Sequence, residues 1–418
     1  MQLPIGFLVL PPPGDRSVLT LRRKLSLTLL HSLLSARPSE AGAAAAPLRR
    51  LQPFLEGVLR GAERRKLITA LENVDVFVPL LAAKSGMQPL SAALESAVPA
   101  MLLGFARAAA GAVQESLVWD YPASNLFDAG AGRVLRCRPP ARGLSVSASG
   151  VELRTASGES CDPLSDSPSA DSVRCERYLH ALSGPRGPAL ALADSNPLFA
   201  LEEHPDKGGN ALDLGGKPVA AWLSGLRDAF SLLKEMLPGL AQELESGLER
   251  IVPVGYQPER HLSASYREAP GLVYLTLHPS TLTMAEAIVH EFQHGKLNLL
   301  RFFDPLLSNG DSVWTESAVR PDLRPLNGVL LAVHAFVPVA ALHYQMQVSA
   351  HPLSATDAFR SRRMQVLAAN ARGLATLQDQ GEPSELGKRV LSGLAELHTF
   401  LERQCADALP QSSVDALG

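Results

Sequence analysis

The stretch TMAEAIVHEFQHGKLNLL, residues 283–300, has the apolar spacing of an amphipathic helix, with Ala285, Ile288, Val289, Phe292 and Leu297 on a face to bury. Thr283 and Glu286 make a T-x-x-E capping box at its start. His290 and His294 stand at i and i+4, one turn apart on one helix face. A single divalent ion can take both imidazoles, and Glu291 beside them can reach a metal-bound water. An H-E-x-x-H string arises by chance in roughly one chain of this length in a hundred, so the helix around it gives it weight. The bland alternative is a pair of core histidines bonded to backbone.

Two imidazoles need a third ligand. His334, Glu316, His343 and His278 offer themselves, with His334 preferred over Glu316 and ordinary hydrogen-bonded or surface roles expected for His343 and His278. His334 and His343 are nine residues apart, about 900° around a helix, so at most one reaches the metal unless Pro338 breaks the helix. Between the motif and that helix lie Arg320 and Arg324, whose forks suit a carboxylate held at two points. Lys296 could also meet an anion. For these three cations the plain alternatives are surface salt bridges and a solvated helix face.

Outward from this segment, the chain divides by texture. Residues 1 to about 115 carry helical apolar stripes, as in SVLTLRRKLSLTLLHSLL, and AGAAAAP near Ala43 reads as a loop or helix end. From 117 to 201 the pattern shortens to alternating strands with Gly, Ser and Pro turns, including a solvated loop at SGESCDPLSDSPSADS. Beyond the glycine-rich HPDKGGNALDLGGKP come a long helical pattern interrupted at Pro238, two short strands (IVPVGY and GLVYLTLHP, the second apolar on both faces), and helices around 284–302, 328–348 and 357–406. The expected fold class is α+β and mostly helical: a helical N-terminal region, a short β-rich middle segment, and a C-terminal helical metal-site domain with a small sheet. The expected domains are 1–200, helical plus β-rich, with peptide capture as the role considered for it, and 201–418, the HExxH metal-binding catalytic domain, with a soft boundary.

Composition excludes several classes. Of 418 residues 46% are hydrophobic, enough for a large core, and a formal charge of −3 gives no basic footprint for nucleic acid or an anionic membrane. The 4 cysteines show no C-x-x-C, which removes a thiolate zinc knuckle and makes a disulfide framework a poor fit to so long a chain. The opening MQLPIGFLVLPPPGDR lacks a basic n-region, so no secretory signal is expected and the default location is cytoplasmic. The run from Val329 to Leu342 approaches the roughly 20 apolar residues of a membrane span, but His334 and Pro338 inside it point to a core helix. Oligomeric state is not legible.

Taken together, HLSASYREAPGLVYLTLHP, TMAEAIVHEFQHGKLNLL and RPDLRPLNGVLLAVHAFVPVA, with HPDKGGNALDLGGKP upstream, resemble the HExxH-type peptide β-hydroxylases that modify ribosomally made peptides. The resemblance covers about residues 204–348 and rests on the run E-A-x-V-H-E-F-Q-H-x-K-L-N followed by R-P-L-x-G. It implies an Fe(II)- and 2-oxoglutarate-dependent dioxygenase acting on a side-chain β-carbon of a precursor peptide. It also implies that His290 and His294 are iron ligands and that Arg324 falls in a motif suited to the keto acid. Glu291 would then orient a ligand or guide water rather than hydrolyse. From the residues alone the competitor is a zinc metallopeptidase with Glu291 as general base. A third reading is a peptide-binding protein with a structural metal.

Overall fold

The computed structural model describes residues 6, 8–109, 113–166, 168, 170–184, 187–201, 209–316 and 322–406. Arg320 lies outside them. The helical opening consists of α1 (Ser17–Ser35), α2 (Ala45–Arg60), α3 (Arg64–Leu71), α4 (Val74–Lys84) and α5 (Leu90–Ala109). The alanine-rich stretch forms a 3-10 turn, Pro38–Ala44, leading into α2.

Among the described residues the middle segment folds as nine short strands: β1 (Leu117–Trp119), β2 (Ala123–Asp128), β3 (Arg133–Ala141), β4 (Gly143–Ser147), β5 (Gly150–Arg154), β6 (Ser160–Cys161), β7 (Val173–Arg177), β8 (Leu179–Ala181) and β9 (Ala189–Ala191). Two antiparallel sheets, ordered β1-β4-β5-β6 and β2-β3-β7, pack their apolar sides into the same core as α1–α5.

The rest alternates helices with short strands: α6 (Val219–Met236), α7 (Pro238–Gly247), β10 (Arg250–Tyr256), β11 (Ser263–Ala264), β12 (Leu272–Leu277), α8 (Thr281–Arg301), β13 (Trp314–Glu316), β14 (Leu323–Pro325), α9 (Leu326–Val348), α10 (Asp357–Gln380) and α11 (Glu385–Ala406). The break between α6 and α7 falls at Leu237, before Pro238, where proline disfavours helical backbone. The expected single stretch 357–406 is two helices, divided by Gly381 and Pro383. The fold is α+β and mostly helical, as its residue patterns require.

One sheet organises the site. Its order is β11-β12-β10-β9-β8, with β9, β10 and β12 parallel and the edges antiparallel. Every residue of β12 is buried, the mark of a strand covered on both faces. Successive side chains go to opposite sides. Val252, Leu272 and Tyr274 join the N-terminal core, whereas Ile251, Val273, Leu275 and Leu277 join the core built from α6–α11. The sheet is thus shared by both cores. It takes β8 and β9 from before residue 200 and its other three strands from after it.

Among the described residues two helices, α5 and α9, are long and apolar enough to cross a membrane, and both are mostly buried inside the fold. α9 continues through Pro338.

Candidate metal centre

Helix α8 begins where Ser280 accepts a hydrogen bond from the Thr283 amide at 3.2 Å. The cap is therefore Ser280 rather than the expected Thr283–Glu286 box, and Glu286 is released for another contact. The helix then runs between β12 and α9. From Met284 to Leu300 every residue is buried except His290 and His294, which are half-buried. Along this stretch the pair is the part most open to solvent. Their ring centroids lie 4.3 Å apart with the planes at 77°.

The opposite wall comes from α9. Its open residues Gly328, Leu331, Ala332 and Phe336 recur at helical spacing, and the Phe336 ring sits 4.5 Å from that of His290. Contacts of His290 with Phe336 and of Glu286 with His343 run α8 and α9 antiparallel. Arg324 stands on β14 just before this face, its side chain packed where a Cβ on Gly328 would lie 3.6 Å away. Its Nε is 2.8 Å from a carboxylate oxygen of Asp322.

Glu291 turns toward the sheet edge. One carboxylate oxygen accepts from the Ser263 hydroxyl and the other from Ser265, each at 2.6 Å. Both serines are supplied by β11 and the residue just past it. No short motif announces them, although HLSASY puts two hydroxyls two residues apart on a strand, hence on one face.

The remaining expected site residues are placed elsewhere. His334 is fully buried, and its Nε2–H donates to the Leu8 carbonyl at 2.8 Å. It stands two residues from Phe336, about 200° around the helix, and faces α8 through a backbone hydrogen bond with Gln293 and the nearby His294. Burial first, then the nearby Lys296 charge, pushes its pKa down to about 3, so the ring is neutral. Glu316 is exposed on the β13–β14 hairpin. Lys296 is fully buried and meets an anion, but an internal one: Glu243 on α7, 3.0 Å away. Burial lowers the lysine and raises the glutamate. That corrects both roles considered for Lys296, since the side chain is enclosed in the fold and already paired with Glu243. His278 accepts from the Ser280 amide at 3.0 Å, and His343 donates to Glu286 at 2.7 Å, the ordinary roles expected of them.

Among the described residues no cluster of three or more His, Cys, Asp or Glu side chains suited to a metal is assembled, so neither His334 nor Glu316 completes the pair here. Two imidazoles still fit half a ligand set. At a metal–nitrogen distance of about 2.1 Å, two rings bound at right angles hold their centroids roughly 4.5 Å apart, close to what is seen. Imidazole suits zinc and ferrous iron alike. No family model matches the chain, and no curated protein is significantly similar to it.

Proposed function

We propose that the protein is an Fe(II)- and 2-oxoglutarate-dependent oxygenase that hydroxylates a side-chain β-carbon in a ribosomally made precursor peptide. The observation that carries a metal-site reading is the solvent-open His290–His294 pair on a helix buried everywhere else along that stretch. Core histidines would be closed in, as His334 and His343 are. The choice of iron and keto acid over zinc follows from the resemblance described above and is supported by Glu291. A peptidase needs that carboxylate facing a metal-bound water, whereas both of its oxygens here are engaged by serine hydroxyls.

When bound, ferrous iron and 2-oxoglutarate would supply the oxidising chemistry, in which the keto acid loses CO2 and takes one atom of dioxygen to become succinate while the other atom converts the substrate C–H to C–OH. His290 and His294 would hold the ion. Arg324, at the head of the α9 wall, would bind the distal carboxylate by exchanging Asp322 for it; Arg320 belongs to the same proposal. Glu291 fixes α8 against β11 and so keeps the histidines in register. Phe336 and Ala332 form an apolar wall that keeps water from the reacting carbon. A cytoplasmic location accompanies this reading, because precursor peptide, keto acid and ferrous iron meet there. Neither nucleic acid nor membrane enters it.

The test uses the full chain, loaded anaerobically with Fe(II) and 2-oxoglutarate. A weak visible charge-transfer band is expected, lost in His290→Ala and in His294→Ala, with succinate released once oxygen and peptide are supplied. Glu291→Gln should reduce turnover without abolishing it. Zinc-supported peptide cleavage that needs no keto acid and dies with Glu291→Gln would replace this proposal with the peptidase. Peptide binding with no histidine-dependent metal uptake would replace it with the binding protein.

A further inference from the structure

Glu286 lies one turn before His290 on the same face of α8, and its carboxylate is claimed by two other helices. One oxygen accepts from His343 Nε2 of α9 at 2.7 Å, and the other pairs with the Arg362 guanidinium of α10 at 2.8 Å. His343 is fully buried and Glu286 nearly so. The guanidinium carbon of Arg362 also lies 5.8 Å from the Phe336 ring centroid, within the range over which a cation is drawn to an aromatic face. Phe336 in turn meets His290, their ring planes tilted by 57°. The contacts therefore close on themselves: Glu286 to Arg362, Arg362 to Phe336, Phe336 to His290, and back along one turn of α8.

We infer that Arg362 is a positioning residue for the metal-binding imidazole of His290, acting through its pairing with Glu286 and its contact with Phe336. This rests on the metal-centre reading above. Arg362 touches neither histidine. A planar fork is suited to the task because one side can hold a carboxylate while its face covers a ring, which the point charge of a lysine does poorly. Remote groups that fix a ligand ring commonly alter metal affinity by about 10–100-fold when lost. The plain alternative is an ion pair that merely ties three helices together. It predicts no effect on the orientation of His290.

Two measurements on the full chain separate these cases: Co(II) titration, and the ring-proton resonance of His290 in metal-free protein carrying 13C-labelled histidine. Wild type should bind one Co(II), dependent on His290 and His294, and show a His290 signal displaced by the Phe336 ring current. Arg362→Gln should weaken Co(II) binding about tenfold or more and move that signal toward its solvent position, with Arg362→Lys intermediate. Arg360→Gln, which removes an exposed pair with Asp357 on the same helix, should change neither. Phe336→Leu leaves the ion pair intact and should weaken binding likewise, a second route if Arg362→Gln fails to fold. Wild-type affinity in both variants, or weakened affinity with an unmoved His290 signal in Arg362→Gln, overturns the inference. A moved signal in a wild-type background that takes up no Co(II) removes the metal centre while leaving the coupling of Arg362 to His290 standing.

Discussion

Asp194 illustrates how a single side chain can give the fold a pH dependence. Its carboxylate accepts from the Tyr274 hydroxyl and from the Asn196 amide. Burial nevertheless dominates and pushes its pKa up to about 6, with the Asp75 carboxylate adding to the rise against those hydrogen bonds. Below pH ~4 the group is neutral in both folded and unfolded chains, so it costs nothing. Between pH ~4 and ~6 the unfolded chain gives up the proton first, and stability falls as pH rises. A shift of this size corresponds to about 3 kcal/mol. Chemical denaturation of wild type and Asp194→Asn at pH 4, 5, 6 and 7 should show the wild type losing stability relative to the variant across that range. Parallel curves would show that the carboxyl titrates normally.

At the level of elements, α8 is held by a different interaction on each side: Glu291 to β11, Glu286 to α9 and α10, and Lys296 to α7. Breaking a buried pair by removing one partner strands a charge, typically at about 3–5 kcal/mol, whereas replacing both partners by apolar groups is often neutral. Lys296→Met should therefore lower the unfolding free energy by about 3–5 kcal/mol, and Lys296→Met with Glu243→Leu should recover most of it. Additive losses in urea melts would mean that Glu243 has another partner. The helices and the His290–His294 pair were legible in the sequence because a 3.6-residue apolar period and an i, i+4 spacing are local. The third-ligand expectation was not, because the rotation of α9 is set by what packs on each side. Phe336 meets His290, and His334 goes to the Leu8 carbonyl. Lys296 looked solvent-facing for the same reason, its partner lying 53 residues away in the chain. Glu286 read as a cap because the sequence shows the spacing of a capping box but not that Ser280 already fills the role.

Across the whole molecule, the five-stranded sheet joins what the texture of the sequence separates. The change from helical to strand-like composition near residue 117 is real, but the soft boundary near 200 falls between strands of one sheet, β9 and β10, which pair in parallel. Polar ties cross the same line. Arg250 pairs with Asp75, itself bonded to the Tyr178 and Ser195 hydroxyls, and Arg22 pairs with Glu249. The first two hundred residues are accordingly part of the support of the sheet and helix that carry the His290–His294 pair.

A recombinant fragment starting at residue 201 would leave the underside of β10 and β12 bare, with Val252, Leu272 and Tyr274 facing water. Such a product should precipitate or bind a hydrophobic dye on expression, while a co-expressed 1–200 piece should rescue it into soluble material. A monodisperse, cooperatively melting fragment would instead show that half the chain can fold around the His290–His294 pair unaided.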